Sequence, residues 1–294
     1  VDDTVQRVAA NGIEIAYEAF GDPQAPPMVL IMGLGTQMIA WPDEFCRALA
    51  ERGHYVIRFD NRDVGLSTHL TDERAPSFAA VALRREAPPY TIDDMADDVI
   101  GLCDGLGLDT VHLVGASLGG FIAQTVAIRY PHRLRSLTLI MTSTGSRRVG
   151  NPKPALFSVL TRRRVAADRE AVQQRAIETF RIIGSRGYAF DEEYLADLAG
   201  QSYDRGVDPG GYLRQLAAIA AQPDRSQQLR RLRLPALVIH GLHDPLVAPS
   251  GGLAAARLLR NSKFVGYSGM GHDLPRELWD DIAAEIGALT ARAG

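Results

Sequence analysis

Thr110-Val111-His112-Leu113-Val114-Gly115-Ala116-Ser117-Leu118-Gly119 opens as a β-branched, apolar run and passes directly into a helical pattern over Leu118–Arg129. The run Thr110–Gly115 predicts a strand buried on both faces. Its last residues, Gly115-Ala116-Ser117-Leu118-Gly119, form a G-x-S-x-G motif between that strand and that helix, which is the setting the motif needs. A serine on so tight a turn has a strained backbone. Side chains two residues to either side would collide, so glycine is expected at Gly115 and Gly119. The turn lifts the Ser117 hydroxyl clear of the sheet and sets it at a helix N-terminus, where free N–H groups favour a developing negative charge. Ser117 is the candidate nucleophile.

Outward from this junction, short apolar runs alternate with helical patterns. Strands are predicted at Ile13–Ala19, Met28–Met32, Tyr55–Phe59, Leu134–Thr142, Pro235–His240 and Lys263–Tyr267. Pro42 is expected at the first position of a helix whose first turn holds Asp43 and Glu44. Thr91 is expected to cap a helix by accepting from the N–H of Asp94, with Met95, Val99, Leu102 and Leu106 on one stripe. Further helices are predicted over Pro249–Leu259 and at the C-terminal end, where Leu278, Ile282, Ile286 and Leu289 share a stripe. The rhythm breaks over 143–232, which reads as helical and rich in arginine. Repeated βα units imply an α/β fold with a mostly parallel sheet and helices on both faces. Ligands then bind outside the carboxyl ends of the strands, so functional residues should follow strands.

Two such positions complete a nucleophilic site. A serine hydroxyl needs a base. Of seven histidines, His272 follows the last predicted strand in Ser268-Gly269-Met270-Gly271-His272-Asp273. His54 precedes a strand, His112 lies within one, His132 sits in a helix-to-strand turn, and His69 is a weak rival in a loop. The base needs an acid to orient it. Asp244 follows the strand that ends at His240, in His240-Gly241-Leu242-His243-Asp244-Pro245. The oxyanion needs two N–H donors. Leu118, next to the nucleophile, offers one. Leu34, in Met32-Gly33-Leu34-Gly35 after an early central strand, offers the other.

Other features have plainer readings. Asp93, Asp94, Asp97 and Asp98 are expected to form a solvated, dipole-complementing helix start rather than a metal site. His240, His243 and Asp244 lack an evident third ligand, since Asp244 already has a role. Gly33-Leu34-Gly35 lacks the third glycine of a dinucleotide fingerprint, because Met38 holds its place. Neither a metal nor a cofactor is implied. Cys46 and Cys103 read as buried small hydrophobes, because no CxxC pair exists. Arg147, Arg148, Lys153, Arg162, Arg163, Arg164, Arg169 and Arg175 read as a solvated helical face; the alternative is a site for an acidic substrate or an anionic membrane surface.

The chain has 294 residues, 46% of them apolar and 23% charged, which suits one domain with a sizeable insertion. A net charge of −3 gives no general pull toward nucleic acid. No run of eighteen apolar residues suggests a membrane-spanning helix. The opening VDDTVQRVAANG has no basic start and no apolar h-region, so the expected location is cytoplasmic. A leader removed before this numbering begins would leave no trace in it.

With these motifs in place the chain resembles the α/β-hydrolase superfamily over essentially its whole length. The residues that carry the resemblance are Met32-Gly33 where His-Gly is usual, Asp60-Asn61-Arg62-Asp63-Val64-Gly65-Leu66-Ser67, the elbow, His240–Asp244, Gly269–His272, and the chain order Ser117, Asp244, His272. Trp41-Pro42-Asp43-Glu44-Phe45 and Arg62-Asp63 are similar to the branch of aclacinomycin methylesterases and related small esterases. The resemblance implies an α/β-hydrolase core over 1–142 and 233–294 and a helical cap over 143–232. It implies a bracing role for Asp60 and Arg62, a small-molecule ester as substrate, and two-step acyl transfer without a cofactor. It also leaves other uses of the same triad: perhydrolysis, carbon–carbon bond hydrolysis or acyl transfer. Perhydrolases often carry proline in the oxyanion loop, and none lies between Met28 and Ala40. A non-catalytic ligand receptor on the same fold is the reading from a different class.

Overall fold

The computed structural model describes residues 5–83, 86–153, 156 and 168–293. Eight strands make one sheet: β1 (Gln6–Ala10), β2 (Ile13–Phe20), β3 (Pro27–Ile31), β4 (Tyr55–Phe59), β5 (Val111–Ala116), β6 (Leu134–Ile140), β7 (Ala236–Gly241) and β8 (Ser262–Tyr267). Their order is β1-β2-β4-β3-β5-β6-β7-β8. β2 runs antiparallel to β1 and β4, and every other pairing is parallel. The six-strand parallel core follows from the apolar runs of the sequence. The hairpin of β1 and β2 does not, because Gln6–Ala10 is short, partly polar and half exposed.

Alternate residues of each central strand face opposite layers. Val29, Ile31, Leu113 and Val238 pack on one side, where α3 (Ile92–Gly105) and α4 (Leu118–Arg129) lie. Met28, Leu30, Val114 and Ile239 pack on the other, with Phe45 and Leu49 of α1 (Asp43–Ala50) and Ile282, Ile286 and Leu289 of α10 (Trp279–Ala293). A short α2 spans Phe78–Leu83, and α9 spans Ser250–Leu258. Between β6 and β7 come α5 (Arg169–Ile183), α6 (Glu192–Arg205), α7 (Pro209–Ala221) and α8 (Ser226–Leu229). Among the described residues no helix is long and apolar enough to cross a membrane.

Three local expectations change. Pro42 has an extended ψ of 148° and is the cap of α1 rather than its first residue. Leu278 lies in a 3-10 turn ahead of α10. The four acids of α3 are not a uniformly solvated turn. Thr91 and Asp94 form a capping box. Asp97 pairs with Arg129 and accepts from the Tyr130 hydroxyl. Asp98 is buried, and both of its oxygens accept from Arg62 at 2.6 Å. The second helical turn, carrying Asp97 and Asp98, faces the protein rather than water, and only tertiary packing supplies the cations.

The Arg62 guanidinium also lies over the Tyr90 ring, 4.9 Å from its centroid. Burial pushes the Asp98 carboxyl above its ordinary range, with Arg62 pulling the other way. Arg62→Met leaves that carboxylate buried without its cation, and should cost about 3–5 kcal/mol of stability, read from the denaturant midpoint. Cys46 and Cys103 are free and buried, and burial pushes each thiol up to about 12. Neither should react with a thiol reagent near pH 8 in the folded protein, whereas both should in denaturant.

Candidate active site

β3 and β5 are neighbours at the point where the strand order reverses, with Ile31 opposite Gly115. The loops after these two strands therefore open at one place, which is where ligands bind in such sheets. Ser117 caps α4 with φ 54° and ψ −115°, a left-handed conformation that non-glycine residues seldom adopt. A Cβ on Gly115 would fall 2.2 Å from the Gly119 carbonyl oxygen, and one on Gly119 would fall 2.1 Å from that of Ile31. Both contacts are impossible, so glycine is required at each place. A Cβ on Gly33 would sit 3.2 Å from the Ser117 Cβ, so the Gly33–Leu34 segment lies directly beside the serine. The Leu118 N–H is the first of α4 and has no acceptor within the helix.

The loops after β7 and β8 bring in the other two side chains. His272 Nε2 lies 3.1 Å from Ser117 Oγ, and His272 Nδ1 lies 2.7 Å from Asp244 Oδ2. Asp244 is buried, and its Oδ1 accepts from the N–H groups of Leu246 and Val247 at 2.8 and 2.9 Å. A carboxylate so held accepts a hydrogen bond from Nδ1–H and keeps the proton on that nitrogen, which leaves the Nε2 lone pair facing the serine hydroxyl.

Of the remaining histidines, His132 is exposed in the turn before β6, and five are held by other groups. His54 contacts Thr290, His112 contacts Ser136, and His69 contacts Gly65 and Asp208. His240 is fully buried, with Nε2 2.8 Å from the Val247 carbonyl and 3.6 Å from Asp244 Oδ2. Burial holds its pKa below the ordinary histidine range, so its ring is neutral and Nε2–H braces the turn that carries Asp244. His243 Nδ1 accepts from Gly269 N–H and thereby joins the loop of Asp244 to that of His272. Among the described residues one group, Asp63, His69 and Asp208, has ligand atoms close enough to hold a metal ion. The Arg214 guanidinium already occupies it, donating to both carboxylates at 2.8 Å.

The family described as alpha/beta hydrolase fold matches residues 26–275. The chain belongs to the α/β-hydrolase family. It is 29% identical to the rhodomycin D methylesterase DauP of Streptomyces sp. (strain C5), over 97% of this chain and 98% of that protein. It is also 29% identical to DnrP of Streptomyces peucetius, of the same description and with the same coverage. Among solved structures it is similar to the enol-lactonase from Burkholderia xenovorans LB400, with a TM-score of 0.77, 25% identity, and coverage of 97% of this chain and 100% of that one.

In this α/β-hydrolase a cavity of about 590 Å³ opens over Ser117 and His272. Met32, Leu34, Met141, Ile183, Leu198 and Trp279 give it an apolar wall. The helices between β6 and β7 close its outer side and bind firmly to the site loops. Gln215 of α7 accepts from the Gly35 N–H at 2.8 Å and donates to the Arg62 carbonyl. Arg205 of α6 pairs with buried Asp60, whose carboxylate also accepts from the Met38 and Leu66 N–H groups. Arg214 of α7 pairs with buried Asp63. Sequence reasoning missed Gln215, Arg205 and Arg214, because each acts on a loop more than a hundred residues away. The acids they meet were in view, their cations were not.

The segment after α5 does the same for the base. The His272 N–H donates to the Ile183 carbonyl at 2.8 Å. The Ser185 hydroxyl accepts from Gly271 N–H at 2.9 Å and donates to Asp273 Oδ1. The N–H groups of Arg186 and Gly187 both donate to the Gly269 carbonyl at 3.0 Å. Arg162, Arg163 and Arg164 of the arginine-rich stretch lie outside the described residues. Of the others, Arg169 is exposed and pairs with Asp204, Arg147 and Arg148 are exposed, and Arg175 lines the cavity.

Ser185→Ala removes a hydroxyl that bridges Gly271 and Asp273 on either side of the base. It should lower kcat on a simple ester by roughly tenfold with KM within about twofold, while the thermal midpoint moves by only a few degrees.

Proposed function

We propose that this chain is a carboxylic ester hydrolase with Ser117 as nucleophile, His272 as general base and Asp244 as the acid that orients it. One observation carries the reading: the His272 ring spans Ser117 Oγ and Asp244 Oδ2 at 3.1 and 2.7 Å, below a cavity open to a small molecule. In this reading 1–142 and 233–294 are the core, and 143–232 is a cap over the site.

The chemistry follows from the geometry. Ser117 Oγ bonds to the ester carbonyl carbon as its proton passes to His272 Nε2. The carbonyl π electrons move to oxygen, and the N–H groups of Leu34 and Leu118 stabilise that oxyanion. The oxyanion collapses, the bond to the alcohol oxygen breaks, and His272 returns the proton to that oxygen. Water then repeats the sequence on the acyl-enzyme, with His272 taking its proton, and releases the acid and free Ser117. Asp244 stays ionised and stabilises the imidazolium at each stage.

The volume and apolar lining of the cavity suit a bulky, largely apolar ester, such as the methyl ester of a bulky aromatic acid. The description of two relatives as methylesterases of rhodomycin D supports the same class.

A fluorophosphonate probe should label Ser117 and leave Ser117→Ala unlabelled. Ser117→Ala should also lower hydrolysis of p-nitrophenyl esters by at least roughly a thousandfold, and Asp244→Asn should lower kcat by about 10⁴-fold. A folded protein that neither labels nor turns over would overturn the enzyme reading. Among methyl esters, those of bulky aromatic acids should exceed methyl acetate in kcat/KM.

A further inference from the structure

The face of α5 that borders the cavity is graded. Ile183, at its C-terminal end, is tied through its carbonyl to the His272 N–H. Thr179 lies one turn back and Arg175 one turn further, and all three line the cavity. Eight residues of helical rise place the Arg175 backbone about 12 Å from that of Ile183. The wall therefore passes from apolar beside His272, through a hydroxyl, to a guanidinium toward the N-terminal end of the helix.

That guanidinium is unlike the other charges of the cavity. Asp191 caps α6 by accepting from Tyr194 N–H, Glu277 accepts from Ala189 N–H, and Asp273 accepts from Ser185. Arg276 lies 3.5 Å from Glu44 and stacks on Trp279. Arg175 is half-buried, and among the described residues nothing pairs or hydrogen-bonds with its side chain. A guanidinium held at a cavity wall without an acid is suited to a planar anionic oxygen group of a ligand, which it can grip with two N–H donors.

We propose that Arg175 is a specificity-determining residue that binds a negatively charged oxygen group, a carboxylate in the simplest case, at the end of the substrate remote from the reacting ester. The inference rests on the ester-hydrolase reading for its orientation, with the reacting carbonyl at Ser117 and the anionic end one cavity length away. The apolar stretch between them takes the body of the molecule. Arg175 touches no reacting atom, so its contribution is to binding and falls on KM.

The test compares p-nitrophenyl half-esters of linear dicarboxylic acids of increasing length with the uncharged fatty-acyl esters of equal length, on wild type, Arg175→Met and Arg175→Lys. Methionine keeps much of the apolar stem and removes the charge. The expected result is that the longer half-esters exceed their uncharged counterparts in kcat/KM by roughly tenfold through KM. Arg175→Met should abolish that preference, Arg175→Lys should keep part of it, and p-nitrophenyl acetate, too short to reach, should be unaffected. Equal use of charged and uncharged esters by wild type, a preference that survives in Arg175→Met, or a preference for a cationic tail would each overturn the assignment. Calorimetric binding of the monomethyl half-ester to Ser117→Ala, with and without Arg175→Met, gives a second readout that needs no turnover. If wild type hydrolyses none of the esters, the hydrolase reading fails by itself. Arg175 is then judged on whether its loss weakens binding of the half-ester by roughly tenfold.

Discussion

The tight approach of β5, α4 and the end of β3 governs this molecule. Gly115 and Gly119 let the chain turn from strand to helix with no side chain between them, and Gly119 lies against the backbone of Ile31. The same turn holds Ser117 in a left-handed conformation. A strained serine is tolerated only where its surroundings over-determine it. Here they do: its N–H donates to the Ile140 carbonyl, its carbonyl accepts from the Thr142 hydroxyl, and the first turn of α4 follows at once. Because β3 and β5 are neighbours, the loop with Leu34 and the turn with Ser117 open at one point.

Around that point the site is assembled by chain segments distant in sequence. Asp244 is fixed by its own loop through two N–H donors and stands beside neutral, buried His240. His272 is fixed from outside, by the Ile183 carbonyl that accepts from its N–H and by the Ser185 hydroxyl that holds its neighbours Gly271 and Asp273. The helices between β6 and β7 thus wall the cavity and also hold the loops beneath it. Their ties to Asp60, Asp63 and Gly35 are largely buried, charged or both, and such contacts are costly to break singly. A rigid-body opening of these helices would disturb the base as well as the cavity.

The strands could be read along the chain because each central one is buried on both faces, so its residues are apolar without alternation. Ser117, Asp244 and His272 could be read because each follows a strand and two of them sit among glycines. Asp98 could not be read. Its neighbours Asp93 and Asp94 do behave as a helix start, and nothing local marks Asp98 as the partner of Arg62. β1 escaped for a related reason, since an edge strand half in water carries a weak apolar signal.

By itself the sequence determined the order of strands and helices, the strand-to-helix turn with its required glycines, and the residue types able to act as nucleophile, base and acid. These are local properties, set by side-chain periodicity and by the space a turn leaves. Tertiary structure alone decided which groups meet: Gln215 on the loop of Leu34, Arg205 and Arg214 on the buried aspartates, Ser185 beside His272, and Arg175 on the cavity wall with no acid among the described residues. Each of those placements depends on how helices more than a hundred residues from the loops they meet, or dozens from His272, lie across the sheet edge. Helical periodicity tells which face of such a helix is apolar, but not which loop that face will cover.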